Sequence, residues 1–356
     1  MRRSGLSAAI AIATSLTIMD CAVGQTGPAR VEPGLTAVTG VVVGHHTLTE
    51  RPTGCTVVLV PAGAVGGVDV RGGAPGTREI ALLDPVNTVE RVHAVVLAGG
   101  SAFGLDAAGG VMRFLEERNV GFQVGNVRVP IVVGAILFDL MVGEDPSVRP
   151  DAACGYMAAR VATAGPVAEG SVGAGAGASI GKLGGPGRAM RGGLGSASVT
   201  LPDGLTVAAL VAVNAVGDVL DPATGKIVAG VRTGDGAGFA DARELIRSGA
   251  TIPSAPGQNT SIGVIATNAT LTKSQTTKIA QMAQDGLARA IVPAHTPWDG
   301  DTMFALALGG YEGNADVLTI GALAADVVAT AILRAVRAAT GLPGIPAARE
   351  MSPDGR

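Results

Sequence analysis

Asn259-Thr260 is the pair in this chain best placed to react with itself. Pro253, Pro256 and Gly257 precede it and break regular pairing, while Ile262 to Ala266 reads as a short apolar strand. A hydroxyl held where a loop turns into a strand has its own upstream carbonyl within reach. It can attack that carbonyl carbon, shift the acyl group from nitrogen to oxygen, and leave an ester that water opens. The new chain end at Thr260 would carry an α-amine, with a pKa of about 8, beside its own hydroxyl. One residue would then supply both nucleophile and base. The residue types alone also fit turn chemistry followed by a β-former, and spacing favours that plainer reading.

Other residues offer complementary chemistry. Asp299 and Asp301 flank Gly300 and would point the same way in an extended segment. Two carboxylates there could hold an ammonium and tune its proton affinity. A metal site needs more oxygen ligands than this segment offers. Asn214, at the end of a strand, presents an amide donor where negative charge could develop, or else simply forms a turn. Lys182 closes a glycine-rich run from Gly170. That run is not a phosphate loop, because Ser179 precedes the lysine and Leu183 follows it. Ser101 lies between a strand and a helix, but Phe103 takes the last position of a Gly-x-Ser-x-Gly elbow. His45 and His46 read as a strand-end polar pair.

These groups need elements to hold them. Strands are expected at Thr39 to Gly44, Thr56 to Pro61, Ala94 to Leu97, Gly192 to Thr200, Leu205 to Val213, Ile262 to Ala266 and Phe304 to Leu308. Pro202-Asp203-Gly204 is a turn between two of them. Helices are expected up to about Glu117, with Leu105, Ala108, Met112 and Leu115 on one face, and over Asp151 to Thr163, Asp241 to Arg247, Thr272 to Ala290 and Ala322 to Thr340. Thr272 can cap its helix. Residues from Ile227 to Pro256 read as a mobile connector. The alternation of strands and helices predicts an α/β protein with layered sheets.

Composition bounds the rest. The 356 residues are 47% hydrophobic but only 3% aromatic, with 54 glycines, so the core is built from Ala, Val, Leu and Ile with close backbone approaches. A net charge of −3, with no basic run, gives no sign of a nucleic-acid partner. Cys21, Cys55 and Cys154 are too few and too scattered for a disulfide framework or a cysteine zinc site. Residues 1–24, with Arg2-Arg3 before an apolar run to Met19, read as a signal peptide, and 25–33 as a linker. The run is shorter than the roughly 20 residues of a membrane span. Export to the periplasm or outside is therefore expected, with a cytoplasmic chain as the alternative.

Asn259-Thr260-Ser261-Ile262-Gly263-Val264-Ile265-Ala266-Thr267-Asn268 resembles the cleavage segment of the DmpA-type self-processing aminopeptidases. That family includes the β-peptidyl aminopeptidases and the 6-aminohexanoate-oligomer endohydrolases. His295-Thr296-Pro297-Trp298-Asp299-Gly300-Asp301-Thr302 resembles a second family signature, and the likeness runs from about Gly34 to Met351. The resemblance implies a four-layer αββα sandwich, related to that of ornithine acetyltransferase. It also implies cleavage into an α-fragment (34–259) and a β-fragment (260–356) of one domain, and a tetramer of the cleaved pairs. Thr260 would be the nucleophile, with Lys182, Asn214, Asp299 and Asp301 around it. Gly100, Ser101 and Phe138 would line the substrate pocket. Phe138 stands where the nylon-oligomer enzyme has a tyrosine, whereas the Asp-Gly-Asp pattern is that enzyme's own. The substrate would be a small peptide or amide, and no cofactor is implied. A self-cleaving acyltransferase and a non-enzymatic relative are the alternatives.

Overall fold

Nine strands carry the fold. The computed structural model describes Met1, residues 34–249 and residues 258–351. The signal-peptide and linker assignments, and the loop containing Pro253, Pro256 and Gly257, lie outside the described residues. In chain order the strands are β1 (Val42–Thr47), β2 (Gly54–Val70), β3 (Thr77–Arg78), β4 (Arg91–Ala98), β5 (Val132–Ile136), β6 (Gly193–Thr200), β7 (Thr206–Val213), β8 (Ile262–Thr267) and β9 (Thr302–Ala307). The helices are α1 (Ala107–Glu116), α2 (Ala152–Arg160), α3 (Ala242–Arg247), α4 (Lys273–Ala290), α5 (Val317–Ala338) and a single turn, α6 (Ala348–Met351).

By hydrogen bonding the strands form one mixed sheet in the order β6-β7-β8-β9-β2-β4-β5-β3, with β1 also on β2. β2 links the two ends. Its first half pairs with β1 and β4, and its second half with β9. Between them the register shifts from Leu59 to Ala64, where Pro61 cannot donate and Gly63 takes φ +78°. β8 and β9 run parallel; their other neighbours, β7 and β2, run antiparallel to them.

Most strands are buried on both faces, so their side chains sort by alternation. On β7 and β8, Leu210, Ala212, Ile262 and Val264 meet Phe304 of β9 together with Val95, Leu97 and Val133 of β4 and β5 in a central core. The opposite faces of β7 and β8, including Val211 and Ile265, pack on α4 and α5. The opposite faces of β4 and β5, including Val96 and Ile136, pack on α1 and α2. α5 is apolar and long enough to cross a membrane by length and composition, and half of its most apolar stretch is buried inside this fold. α4 starts as expected from Thr272, whose side chain and that of Gln275 form a reciprocal capping box.

Four expectations are corrected. α5 starts five residues early because Asp316 caps it, accepting from Leu318 N and Thr319 N. A 3₁₀ segment, Ser101–Asp106, precedes α1. The connector after Ile227 is anchored: Ile227–Ala229 pairs with Asp218–Leu220, and the buried Asp218 carboxylate accepts from Val231 N and Ala242 N. Cys55 and Cys154 form a disulfide across 99 residues of chain, because α2 packs beside the start of β2.

The small-residue core matters most where α1 crosses α2. A Cβ on Gly110 would lie 1.7 Å from Ala152 O, and one on Gly155 would lie 1.8 Å from Ala107 O. Gly110→Ala must push the helices apart, at about 1–3 kcal/mol or more. A clear fall in the urea unfolding midpoint is expected, and an unchanged midpoint would contradict this packing.

Candidate active site

The parallel register of β8 and β9 continues upstream of both strands. Ile262 lies opposite Thr302, and the isolated bridge Asn259–Asp299 keeps the same offset. Thr302 N donates to Ser261 O at 3.1 Å and Gly300 N to Asn259 O at 2.9 Å. On the other side, Thr260 N donates to Asn214 O at 2.7 Å, extending the β7–β8 pairing. Thr260 is thus pinned from both flanks and is only 2% exposed. Its hydroxyl donates to the carbonyl oxygen of Asn259. That one oxygen accepts from both the hydroxyl and the Gly300 N–H, which polarises the carbonyl.

The two carboxylates play different parts. Asp301 is fully engaged: Oδ1 accepts from Ser261 N at 2.8 Å, and Oδ2 accepts from His295 N at 3.1 Å and pairs with His295 Nδ1 at 2.9 Å. Asp299 Oδ2 accepts from Thr296 N at 2.7 Å, whereas its buried Oδ1 has no partner among the described residues. Burial, and then the neighbouring charge of Asp301, push the Asp299 carboxyl up to about 6.

Lys182 and Asn214 form the opposite wall. Lys182 Nζ donates to Asn214 Oδ1 and to Gln258 O, each at 2.8 Å. Burial lowers its pKa to about 7, against the charges of Asp299 and Asp139, which favour the ammonium. Asn214 is fully buried; its Oδ1 also accepts from Ser179 N at 3.0 Å, and its Nδ2 donates to Phe138 O at 3.1 Å. Asn214 Nδ2 also reaches Gln258 O at 3.5 Å, so both residues grip the carbonyl one position upstream of the Asn259–Thr260 bond.

The remaining site residues lie behind this wall. Gly100 N donates to Asp139 Oδ1 at 2.9 Å, and Ser101 N to Leu137 O at 3.0 Å. Gly100 and Ser101 thus clasp the segment carrying Phe138, and no hydrogen bond among the described residues joins them to Thr260. Both take left-handed backbone, with φ +83° and +54°. His45 is no part of the site. Its ring bonds Thr56 Oγ1 at 3.0 Å, and burial lowers its pKa to about 4.

Three features escaped the sequence reading. Gly300 acts through its amide. His295 is joined to Asp301. Arg51, fully buried, pairs with Asp139 Oδ1 at 2.9 Å beneath the Gly100 loop. The Asp-Gly-Asp spacing could have suggested the first, and the closeness of His295 to Asp301 in sequence the second; nothing local points to the third.

This arrangement belongs to a hydrolase of peptide or amide bonds, and comparison with known proteins agrees. Residues 34–349 match the model of peptidase family S58, and the chain belongs to that family. An uncharacterized aminopeptidase of Mycobacterium leprae is 46% identical, over 88% of this chain and 92% of its own length. A 6-aminohexanoate-oligomer endohydrolase of Agromyces sp. is 33% identical, over 83% of this chain and 84% of its own. Among solved structures, a Burkholderia sp. beta-aminopeptidase superposes with a TM-score of 0.66 at 26% identity, covering 90% of both chains. The L-aminopeptidase D-Ala-esterase/amidase of Ochrobactrum anthropi, described as a variant of the Ntn hydrolase fold, gives 0.65 at 22% identity over 90% of this chain and 93% of its own; this likeness concerns the fold.

Gly300 has no room for a side chain. A Cβ there would lie 2.7 Å from both Thr260 Oγ1 and Ala74 O. Gly300→Ala should displace the hydroxyl and slow hydrolysis by about 100-fold or more. Near-normal turnover in that variant would contradict the geometry.

Proposed function

We propose that this hydrolase is an N-terminal-threonine enzyme that activates itself by cutting the Asn259–Thr260 bond. The observation that carries this reading is the Thr260 hydroxyl lying on its own upstream carbonyl, with the Gly300 N–H on the same oxygen. The hydroxyl oxygen bonds to the Asn259 carbonyl carbon and gives up its proton, and the Asn259–Thr260 C–N bond breaks. The leaving nitrogen takes a proton and becomes the Thr260 α-amine. Water then adds to the ester, returning the hydroxyl to Thr260 and leaving a carboxylate on Asn259.

Cleavage changes what the wall residues can do. Once Gln258 and Asn259 withdraw, Lys182 Nζ and Asn214 Nδ2 lose the Gln258 carbonyl. They become donors for the carbonyl of an incoming amide, whose oxygen turns anionic when Thr260 adds to it. The partnerless Asp299 oxygen would face the new amine, and Asp301 would hold the strand behind it. The amine accepts the hydroxyl proton and passes it to the departing amine of the substrate. Water then releases the acyl group from Thr260.

The substrate in this reading is a short peptide, a β-peptide or an ω-amino-acid oligomer, bound against Phe138 and the loop of Gly100 and Ser101. Phe138 lacks the hydroxyl of a tyrosine there, so this end of the pocket is the less polar. The reading also takes in a four-layer αββα arrangement, with the 34–259 and 260–356 fragments in one unit, assembly of cleaved pairs into a tetramer, and export. The Cys55–Cys154 disulfide suits an oxidising compartment.

Thr260→Ala should remain one polypeptide on a denaturing gel and hydrolyse none of a panel of amino-acid p-nitroanilides, β-peptides and aminohexanoate oligomers. Hydrolysis by that variant would refute the assignment. Activity of the mature enzyme should also fall as pH drops through about 6, where Asp299 gains a proton and loses its hold on the ammonium. The charge is fully present above that value and lost below it. Asp299→Asn should have low activity and no such acid limb; a wild-type profile would exclude Asp299 from the chemistry.

A further inference from the structure

His295 stands beside the site, bonded to Asp301 and not to Thr260 or Asn259, and takes no part in the acyl transfer. Its position is nevertheless tightly specified. Its backbone takes φ +56°, in the left-handed region that non-glycine residues seldom enter and that Asn, Asp and His tolerate best. From there its N–H and its ring Nδ1 both meet Asp301 Oδ2, at 3.1 and 2.9 Å. A carboxylate only accepts, so the ring proton sits on Nδ1. The other oxygen, Oδ1, accepts from Ser261 N at 2.8 Å, one residue beyond the nucleophile.

We propose that His295 is a positioning residue that aims the Asp301 carboxylate at Ser261 N and so fixes Thr260 against the Asn259 carbonyl. The proposal rests on Thr260 being the nucleophile. It also separates the two carboxylates: Asp301 is committed to the backbone and to His295, and Asp299 keeps the free oxygen.

The surroundings make this link sensitive to pH. Asp301 faces His295 from its own segment, Arg71 from the end of β2, and the Gln284 carbonyl from α4. Arg71 is itself paired with Asp69 at 2.6 Å. Lys182 also acts on Asp299, favouring its ionised form. Burial alone would lower the His295 pKa, but the hydrogen bond and charge of Asp301 outweigh it and leave the pKa above its ordinary value. When the ring gains its second proton, the hydrogen bond becomes an ion pair. That positive charge opposes the effect of Asp301 on Asp299 and keeps Asp299 ionised to lower pH.

Two variants test this. Asn places an amide donor where Nδ1 stands and tolerates the left-handed backbone, but it cannot be charged. Ala offers no donor. The kcat and KM of mature wild-type, His295→Asn and His295→Ala enzyme are to be measured across pH on one p-nitroanilide that the wild type hydrolyses. Self-cleavage of each chain is followed on a gel. The plateau kcat of His295→Asn should lie near the wild-type value. His295→Ala should lose roughly tenfold or more in kcat with little change in KM, and should cleave itself more slowly. In both variants the acid limb should move upward, by about half a pH unit or more. An unmoved limb in His295→Asn, or equal plateaus and equal cleavage rates in the Asn and Ala variants, would overturn the proposal. Thr260→Ala is run alongside. If it still hydrolyses the substrate, the nucleophile is wrong; if it is inert while the His295→Asn limb stays put, only the role of His295 falls.

Discussion

The site depends on one constraint, the parallel pairing of the chain around Thr260 with the chain around Gly300. β8 and β9 set the register by burying alternate side chains on both faces, so a slip of one residue would turn apolar groups to the wrong side. The same offset, carried three residues upstream, places the Gly300 amide on the Asn259 carbonyl and Asp299 opposite the bond next to Thr260. The sheet thus holds a hydroxyl and its own carbonyl together. That contact would otherwise cost the entropy of ordering a loop.

Charges are arranged around that pairing rather than within it. Asp301 and His295 close on one another and on the Ser261 amide. Asp299 keeps an open oxygen and an elevated proton affinity. Lys182, on the opposite wall, has the depressed affinity of a buried ammonium. Two ionisable groups driven toward each other near neutral pH are what acid–base chemistry at that pH requires. Beneath them, the buried Arg51–Asp139 pair fixes the loops behind Phe138, and its anion helps keep Lys182 charged.

Much of this was legible in the sequence where the signal is local. The strand after Thr260, the capped α4 and the spacing of Asp299 and Asp301 all follow from short-range pattern, whereas the Asn259–Thr260 pair stood out from an ordinary turn only through resemblance to a family. Asn214 announced itself only as a strand-end amide, and Lys182 only through resemblance to a family. Arg51 and the Cys55–Cys154 bond could not be read, because each partner is supplied by tertiary packing, and the His295–Asp301 pair could not because it needs the turn of the segment between them. Arg51 meets Asp139 across 88 residues. The anchoring of the segment after Ile227 was hidden for the same reason: it comes from pairing with Asp218–Leu220 and from the buried carboxylate of Asp218.

The central claim is that this pairing exists to break one peptide bond. Intact-mass spectrometry of the purified, active protein tests it most directly. The account predicts two polypeptides, the smaller having the mass of residues 260–356 and an N-terminal threonine. A single unbroken chain with full hydrolytic turnover would contradict it.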